Sequence, residues 1–248
     1  TANAAIVGYG QWNDVVSMTT IGESLYNFYG YVTDGIYQNL EDIQNSPKPE
    51  KYPADGVFNR SQTVWVGDVK YKDLSGPDGK PDGVINEYDK TNIGSPMPDF
   101  TFGWTNTFRY KNVSLSVFLN AQLGQTANNW LYDVSHNSYR QNRLMVDFWT
   151  PENPTNKYPK NSLDTSVNPM NAGFYEKTDF LRVQDVTLAY RVPQRWLKKI
   201  SLNRLEVYMN IKNLATWTSW TGLDPEFISD QQSTPQVRSF TFGLKLDL

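Results

Sequence analysis

The chain contains no cysteine and one histidine, His136. Without thiols there is no disulfide framework, no thiol nucleophile and no Cys-based metal centre. A lone imidazole makes neither a zinc site nor a His-dependent triad. No run approaches the roughly twenty apolar residues that a membrane-spanning helix needs. With hydrophobic residues at 39% of the total, a helical membrane protein is excluded; a β-barrel, whose strands are apolar on one side only, is not. An excess of one charge is also missing: 23 Lys and Arg stand against 26 Asp and Glu, a net of −3. That leaves no basic footprint, so nucleic acid is not an expected partner. The first residues, Thr1-Ala-Asn-Ala-Ala-Ile-Val7, lack the basic start and continuous apolar core of a secretory signal. A surface protein with such a start is expected to be a portion of something longer. Aromatics are plentiful, with 15 Tyr, 12 Phe and 8 Trp, a content that suits interfacial girdles and sugar-stacking surfaces alike.

Period two is the dominant pattern. In Ser239–Leu248 the residues Phe240, Phe242, Leu244, Leu246 and Leu248 fall on one face, and Ser239, Thr241, Gly243, Lys245 and Asp247 on the other, as in a strand with lipid on one side and water on the other. Phe100, Phe102, Trp104, Asn106, Phe108 and Tyr110 alternate with Thr101, Gly103, Thr105, Thr107 and Arg109; after a Lys111-Asn112 turn, Val113, Leu115, Val117, Leu119, Ala121 and Leu123 alternate with Ser114, Ser116, Phe118, Asn120 and Gln122. A third strand over Leu181–Val192 slips phase at Gln184-Asp185, which requires a bulge. A fourth puts Leu205, Val207, Met209 and Ile211 outward and Arg204, Glu206, Tyr208, Asn210 and Lys212 inward. The fold class is therefore all-β. Transmembrane strands are expected at about 99–110, 113–124, 180–192, 203–214 and 238–248, with external loops at 125–179 and 215–237. Residues 1–98 form a less regular extracellular region. Connection lengths run short, very long, short, long, the alternation of periplasmic turns and external loops in a bacterial barrel. That order puts the C-terminus in the periplasm, and Phe108, Tyr110 and Trp196 at the girdle of the short-turn end. Five strands leave open edges that lipid cannot satisfy, so the rest of a barrel is required. The alternative is a secreted calcium-containing β-sandwich that binds carbohydrate.

Three stretches carry chemistry. Counting from Asp78 as position one, Asp82, Gly83, Val84 (through its carbonyl), Asn86 and Asp89 fall at positions five, six, seven, nine and twelve of an EF-hand-type loop, with Asp73 near enough to supply a further oxygen. Lys80 at position three and Asp rather than Glu at twelve depart from that pattern; the competing reading is an acidic turn without metal. Trp217, Trp220 and Asp224 in Trp217-Thr-Ser-Trp-Thr-Gly-Leu-Asp-Pro-Glu226 form a candidate sugar-stacking surface. Asp224 and Glu226 also resemble a glycosidase carboxylate pair, but nothing else sets an acid apart from a base, and no enzyme activity is expected. Phe148-Trp-Thr-Pro-Glu-Asn-Pro154 is either a contact for a lid partner or a self-packed loop.

Several blocks recur in order: Tyr29-Gly-Tyr-Val-Thr-Asp-Gly-Ile-Tyr37, Gly67-Asp-Val-Lys-Tyr-Lys-Asp-Leu74, Asp82-Gly-Val-Ile-Asn-Glu-Tyr-Asp-Lys90, Ile93-Gly94, Pro98-Asp-Phe-Thr-Phe-Gly103, Phe180-Leu-Arg-Val-Gln-Asp-Val-Thr-Leu-Ala-Tyr190, Asn210-Ile-Lys-Asn-Leu214, Gly222-Leu-Asp-Pro-Glu226 and Arg238-Ser-Phe-Thr-Phe-Gly243. Together they resemble the C-terminal third of SusC/RagA-type TonB-linked outer-membrane proteins. The resemblance implies a plugged barrel of about 22 strands that imports oligosaccharides or peptides with a SusD-like surface lipoprotein and is energised by the TonB complex through the N-terminal part. Phe240, Thr241, Gly243, Leu246 and Leu248 resemble the signal read by the barrel assembly machinery, with Leu248 where Phe is usual.

Overall fold

The computed structural model describes residues 7–12, 15–19, 22–49, 64–129, 147–160, 175–198, 202–226 and 235–247. The chain divides into two compact units: Thr1–Met97 with Ala127–Glu176, and Pro98–Thr126 with Lys177–Leu248.

The first unit is built from short elements. Strands β1 (Val7–Trp12), β2 (Val15–Thr19), β3 (Asn27–Gly30) and β8 (Thr91–Gly94) form one antiparallel sheet in that order. Between β3 and β8 lie β4 (Thr33–Ile36), α1 (Leu40–Asn45), β5 (Lys48–Pro49), β6 (Val69–Tyr71), β7 (Val84–Ile85) and a 3-10 turn over Glu87–Asp89. β4 pairs with β6 antiparallel, and β5 with β7 parallel. Helix α1 begins where the Asn39 side chain accepts the Asp42 N–H at 2.8 Å, with Glu41 and Asp42 facing the positive end of the helix dipole. It stops at Ser46, held extended because Pro47 follows. Two small cores result: Tyr31, Val69, Tyr71 and Ile85, flanked by Phe28, Ile93 and Tyr175, and Tyr37, Ile43 and Val64, flanked by Val66. The Gly67-Asp68 block belongs to this packing. Gly67 has φ of +90°, and a Cβ there would fall 2.6 Å from the Trp149 ring, while Asp68 pairs with Lys160 at 2.8 Å.

The second unit is one antiparallel meander of five long strands, β9 (Phe100–Tyr110), β10 (Val113–Leu123), β13 (Phe180–Arg191), β14 (Arg204–Thr218) and β15 (Ser239–Asp247), hydrogen-bonded in that order. The ribbon of β11 (Thr126–Asn128) and β12 (Tyr175–Lys177) lies in the connection between β10 and β13, and the short helix α2 (Gln194–Leu197) between β13 and β14. The register lines up whole rows. Phe108, Leu115, Leu188, Met209 and Phe242 form one row across all five strands. The next row, Thr107, Ser116, Thr187, Asn210 and Thr241, lies on the opposite face, because successive side chains alternate. Its members bond laterally, Thr107 Oγ1 to Ser116 Oγ at 3.2 Å and Asn210 Nδ2 to Thr187 Oγ1 at 2.8 Å. The phase slip read at Gln184-Asp185 is a pair of register shifts, one against β10 and one against β14. The β14 side absorbs its extra residue with Asn213 at φ of +52°, a conformation Asn tolerates better than most residues, and its amide donates to Val237 O at 3.1 Å.

Among the described residues of this unit no second layer covers the apolar face. Phe100, Phe242 and Leu244 are 71%, 73% and 63% exposed, and the apolar patch continues across all five strands. A water-soluble monomer rarely shows contiguous apolar surface beyond a few hundred Å², and a sandwich would bury this face against a second sheet. β14 runs to Thr218, so residues 215–218, expected in an external loop, are strand. The expected strand limits at Leu248, and parts of the loops within 130–146, 161–174 and 227–234, lie outside the described residues.

Candidate functional site

The strongest constellation sits on the charged face of the five-stranded sheet. Arg182 follows Leu181 on β13 and therefore points away from the apolar side; it is 2% exposed. Its guanidinium lies 5.3 Å from the Phe180 ring. Nε donates to Thr216 Oγ1 at 3.0 Å, Nη2 to Asp224 Oδ1 at 2.8 Å and Nη1 to Glu226 Oε2. The carboxylates also accept other donors. Asp224 takes the N–H groups of Glu226 and Gln236, both at 3.0 Å; Glu226 takes Gln236 Nε2 at 2.8 Å and Asn120 Nδ2 at 3.2 Å. One cation and two carboxylates leave an excess negative charge in a buried place, and the amide and peptide donors offset it. The constellation fastens both described ends of the β14–β15 connection to the inner wall formed by β10, β13 and β14. Sequence reasoning did not single out Arg182. The available signal was an arginine on the polar phase of an otherwise apolar segment, but its partners lie 42 and 44 residues downstream and nothing local points to them.

The expected ligand residues are placed by this same packing. Asp224 is 6% exposed and committed to Arg182. Trp220 is buried, and its indole lies so close to Gly222 that a Cβ there would fall 2.4 Å from Nε1. Trp217 pairs with Leu181 on the apolar face and is exposed. A stacking surface combining Trp217 and Trp220 is therefore not assembled, because the strand alternation and the loop tuck send the two rings to different surroundings. Asp224 and Glu226 share one arginine rather than facing each other across a space for a sugar.

The acidic loop uses its side chains on its own backbone. Asp89, fully buried, accepts Leu74 N–H at 2.7 Å and Ser75 N–H at 3.1 Å through Oδ1, and Asn86 N–H at 2.8 Å through Oδ2. With Asn86 it forms a capping box around the 3-10 turn. Asp73 accepts the N–H groups of Asp82 and Gly83, and Asp82 that of Val84. Of the candidate ligands Asp73, Asp78, Asp82, Val84, Asn86 and Asp89, three carboxylates accept peptide N–H groups, and among the described residues no group of three or more His, Cys, Asp or Glu is placed to hold a metal. Phe148–Pro154 packs on its own unit: Trp149 is buried, and its Nε1 donates to Gln38 Oε1 at 2.9 Å. Close by, Tyr31, Thr33, Ile36, Asn92, Asn156 and Tyr175 line a cleft of about 400 Å³.

In the last strand, Phe240 and Leu246 face the apolar side and are exposed, and Thr241 lies in the polar row. Gly243 is opposite Tyr208, whose ring end occupies the place of a Cβ, which would fall 2.4 Å from Cζ; Lys245 Nζ lies 5.2 Å from the centre of that ring. Leu248 is outside the described residues.

A one-layer meander of long strands, apolar and uncovered on one face and charged on the other, is a section of an outer-membrane β-barrel wall. No family model matches the chain. Among curated proteins it is similar to TonB-dependent receptor P26 of Formosa agariphila, with 31% identity over 247 residues, 91% of this chain and 23% of that protein. It is also similar to TonB-dependent receptor P3 of the same organism, with 28% identity over 240 residues, 91% of this chain and 22% of that protein. Among solved structures it resembles the RagAB peptide importer in the open-open state, with a TM-score of 0.63 and 19% identity over 100% of this chain and 25% of that one, which speaks to the fold. Over nine-tenths of its length the chain is thus similar to TonB-dependent receptors, and its fold is that of the RagA transporter barrel; it spans about a quarter of the length of the relatives it matches. These relatives carry the names of receptors and importers rather than enzymes.

Proposed function

We propose that this chain is the C-terminal barrel portion of a TonB-dependent importer of glycans or peptides. In this reading it works with the remaining barrel and plug of the same transporter, a SusD-like surface lipoprotein and the TonB complex. The observation that carries the proposal is the row order of the five-stranded sheet, with aromatic and aliphatic side chains uncovered on one face and polar side chains and ion pairs on the other. Only a medium that is apolar outside and wet inside suits both faces at once. The open edges of β9 and β15 call for further strands, as the greater length of the relatives allows. The importer role draws on the names of those relatives. With the short connections in the periplasm, the C-terminus is periplasmic and the β14–β15 connection opens to the outside.

The decisive experiment uses the whole receptor in its native membrane and follows uptake of fluorescent oligosaccharides and of fluorescent peptides of matched mass. Energy-dependent uptake of one class, abolished by removing TonB, is the expected result and names the substrate class. A receptor recovered in the soluble fraction, or one that moves neither class, overturns the proposal.

A further inference from the structure

The short-connection end of the five-stranded sheet is rich in cations, and these fall into two groups. On the charged face, Arg191, Arg204 and Lys245 surround one carboxylate, Glu206, at 3.7, 3.0 and 3.5 Å. Each of the three thus has a carboxylate within salt-bridge distance inside the unit. Lys111 and Arg195 are placed differently. Lys111 sits at φ of +52° in the β9–β10 turn, and its Nζ lies 5.2 Å from the centre of the Tyr110 ring, the last outward aromatic of β9. Arg195, on α2, holds its guanidinium 5.6 Å from the Trp196 ring. Both rings are open, at 72% and 53% exposure. Among the described residues neither cation has a carboxylate partner within salt-bridge distance. The two connections are stitched together: Arg191 N–H donates to Asn112 O at 2.8 Å, and Asn112 Nδ2 to Arg191 O at 2.7 Å. Lys198, also exposed, follows on the same connection.

A cation standing over an exposed ring at the rim of an apolar wall satisfies two media at once. The ring takes the hydrocarbon boundary and the charge stays at headgroup depth. A charge with no counter-ion inside the protein gains most from one supplied outside, and a phosphodiester offers oxygens that match both ammonium and guanidinium donors. We propose that Tyr110-Lys111 and Arg195-Trp196 together form a binding site for the headgroup of an anionic phospholipid of the phosphatidylglycerol type. Lys111 and Arg195 contact the phosphate, and the two rings set its depth. The apolar face of β9 that Tyr110 continues receives the acyl chains. This inference rests on the reading that the apolar face meets a bilayer, and it adds a specific lipid contact to that reading.

The test is native mass spectrometry of the intact receptor in detergent, titrated with phosphatidylglycerol and with phosphatidylcholine of the same acyl chains. Preferential retention of phosphatidylglycerol is expected. The double substitution Lys111→Gln/Arg195→Gln should reduce that preference about 25-fold, taking a factor of about five per cation at an anionic lipid surface. Lys212→Gln, a lysine of the charged face in mid-strand, should leave it unchanged. An unaltered preference in the double variant overturns the proposal. So does displacement of the lipid by an equal concentration of inorganic phosphate, which would mark a free-anion site. A receptor that stays dispersed without detergent and retains neither lipid sinks the bilayer reading as well, and so separates the two failures.

Discussion

Replacing Arg182 by methionine is the most informative single perturbation of this sheet. The side chains are of similar length, so the main change is the loss of a charge and its donors to Thr216, Asp224 and Glu226. Removing one partner of a buried ion pair typically costs about 3–5 kcal/mol, because the other charge is left uncompensated away from water. Here two carboxylates are left, with 6% and 17% of their side chains exposed. The cost has a ceiling, since both lie in the β14–β15 connection rather than in a strand and can regain water by lifting off the wall. The expected outcome is therefore local opening: loss of about 3 kcal/mol of hydrogen-exchange protection at the Glu226 and Gln236 amides, with the protection of β13 and β14 largely kept. Arg182→Met combined with Asp224→Asn and Glu226→Gln should recover part of the loss, because neutral amides tolerate burial beside one another better than unpaired carboxylates do. Exchange measured by mass spectrometry on the whole receptor reads both effects. Unchanged protection in Arg182→Met, or a triple variant whose loss equals the sum of the separate losses, would refute the claim that this arginine fastens the connection.

Other outcomes follow from the same geometry. This chain has no native cysteine, so in a receptor whose remaining portion is also freed of cysteine Leu223→Cys and Gln194→Cys can report sidedness: in intact cells a membrane-impermeant maleimide should label the first and spare the second, and the reverse pattern would invert the proposed orientation. Gly243→Ala should cost about 1–3 kcal/mol by driving a methyl into the Tyr208 ring, lowering the temperature at which the barrel loses its heat-modifiable mobility, and Tyr208→Ser in the same chain should restore most of it. At Asp42, burial pushes the carboxyl up, but the hydrogen bond from Gln38 N–H and the contacts from Lys70 and Ser46 outweigh it and leave the group below its ordinary value of 3.8. A depressed folded pKa means that the stabilisation is present above that value and disappears as pH falls through the lower, folded one. Proteolysis around α1 should therefore be flat from neutral pH down to about pH 4 and rise below it, and an increase confined to pH above 5 would contradict that assignment.

Much of the barrel wall was legible before any coordinates. Side-chain alternation is a local consequence of an extended backbone, so Phe100 to Tyr110, Val113 to Leu123 and Phe240 to Leu246 show their faces in the order of residues alone, and the phase slip at Gln184-Asp185 showed the bulge. Family resemblance rested on blocks such as Gly67-Asp68 and Asp82–Lys90 whose purpose the sequence left open. Only the packed chain explains them, with Gly67 making room for Trp149 and Asp89 gathering three peptide N–H groups from two segments.

The sequence by itself determined which residues share a face and that the class is all-β, because these follow from a two-residue period; that the apolar side meets lipid rather than a second sheet rested on its exposure in the folded chain. The tertiary structure alone decided where the charges go. Arg182 meets Asp224 and Glu226 across more than forty residues, Trp220 folds beneath its loop while Trp217 turns outward, and the acidic loop spends its carboxylates on its own backbone. Such pairings depend on strand register and on how a connection folds back, and long-range contacts of that kind leave no periodic trace along the chain.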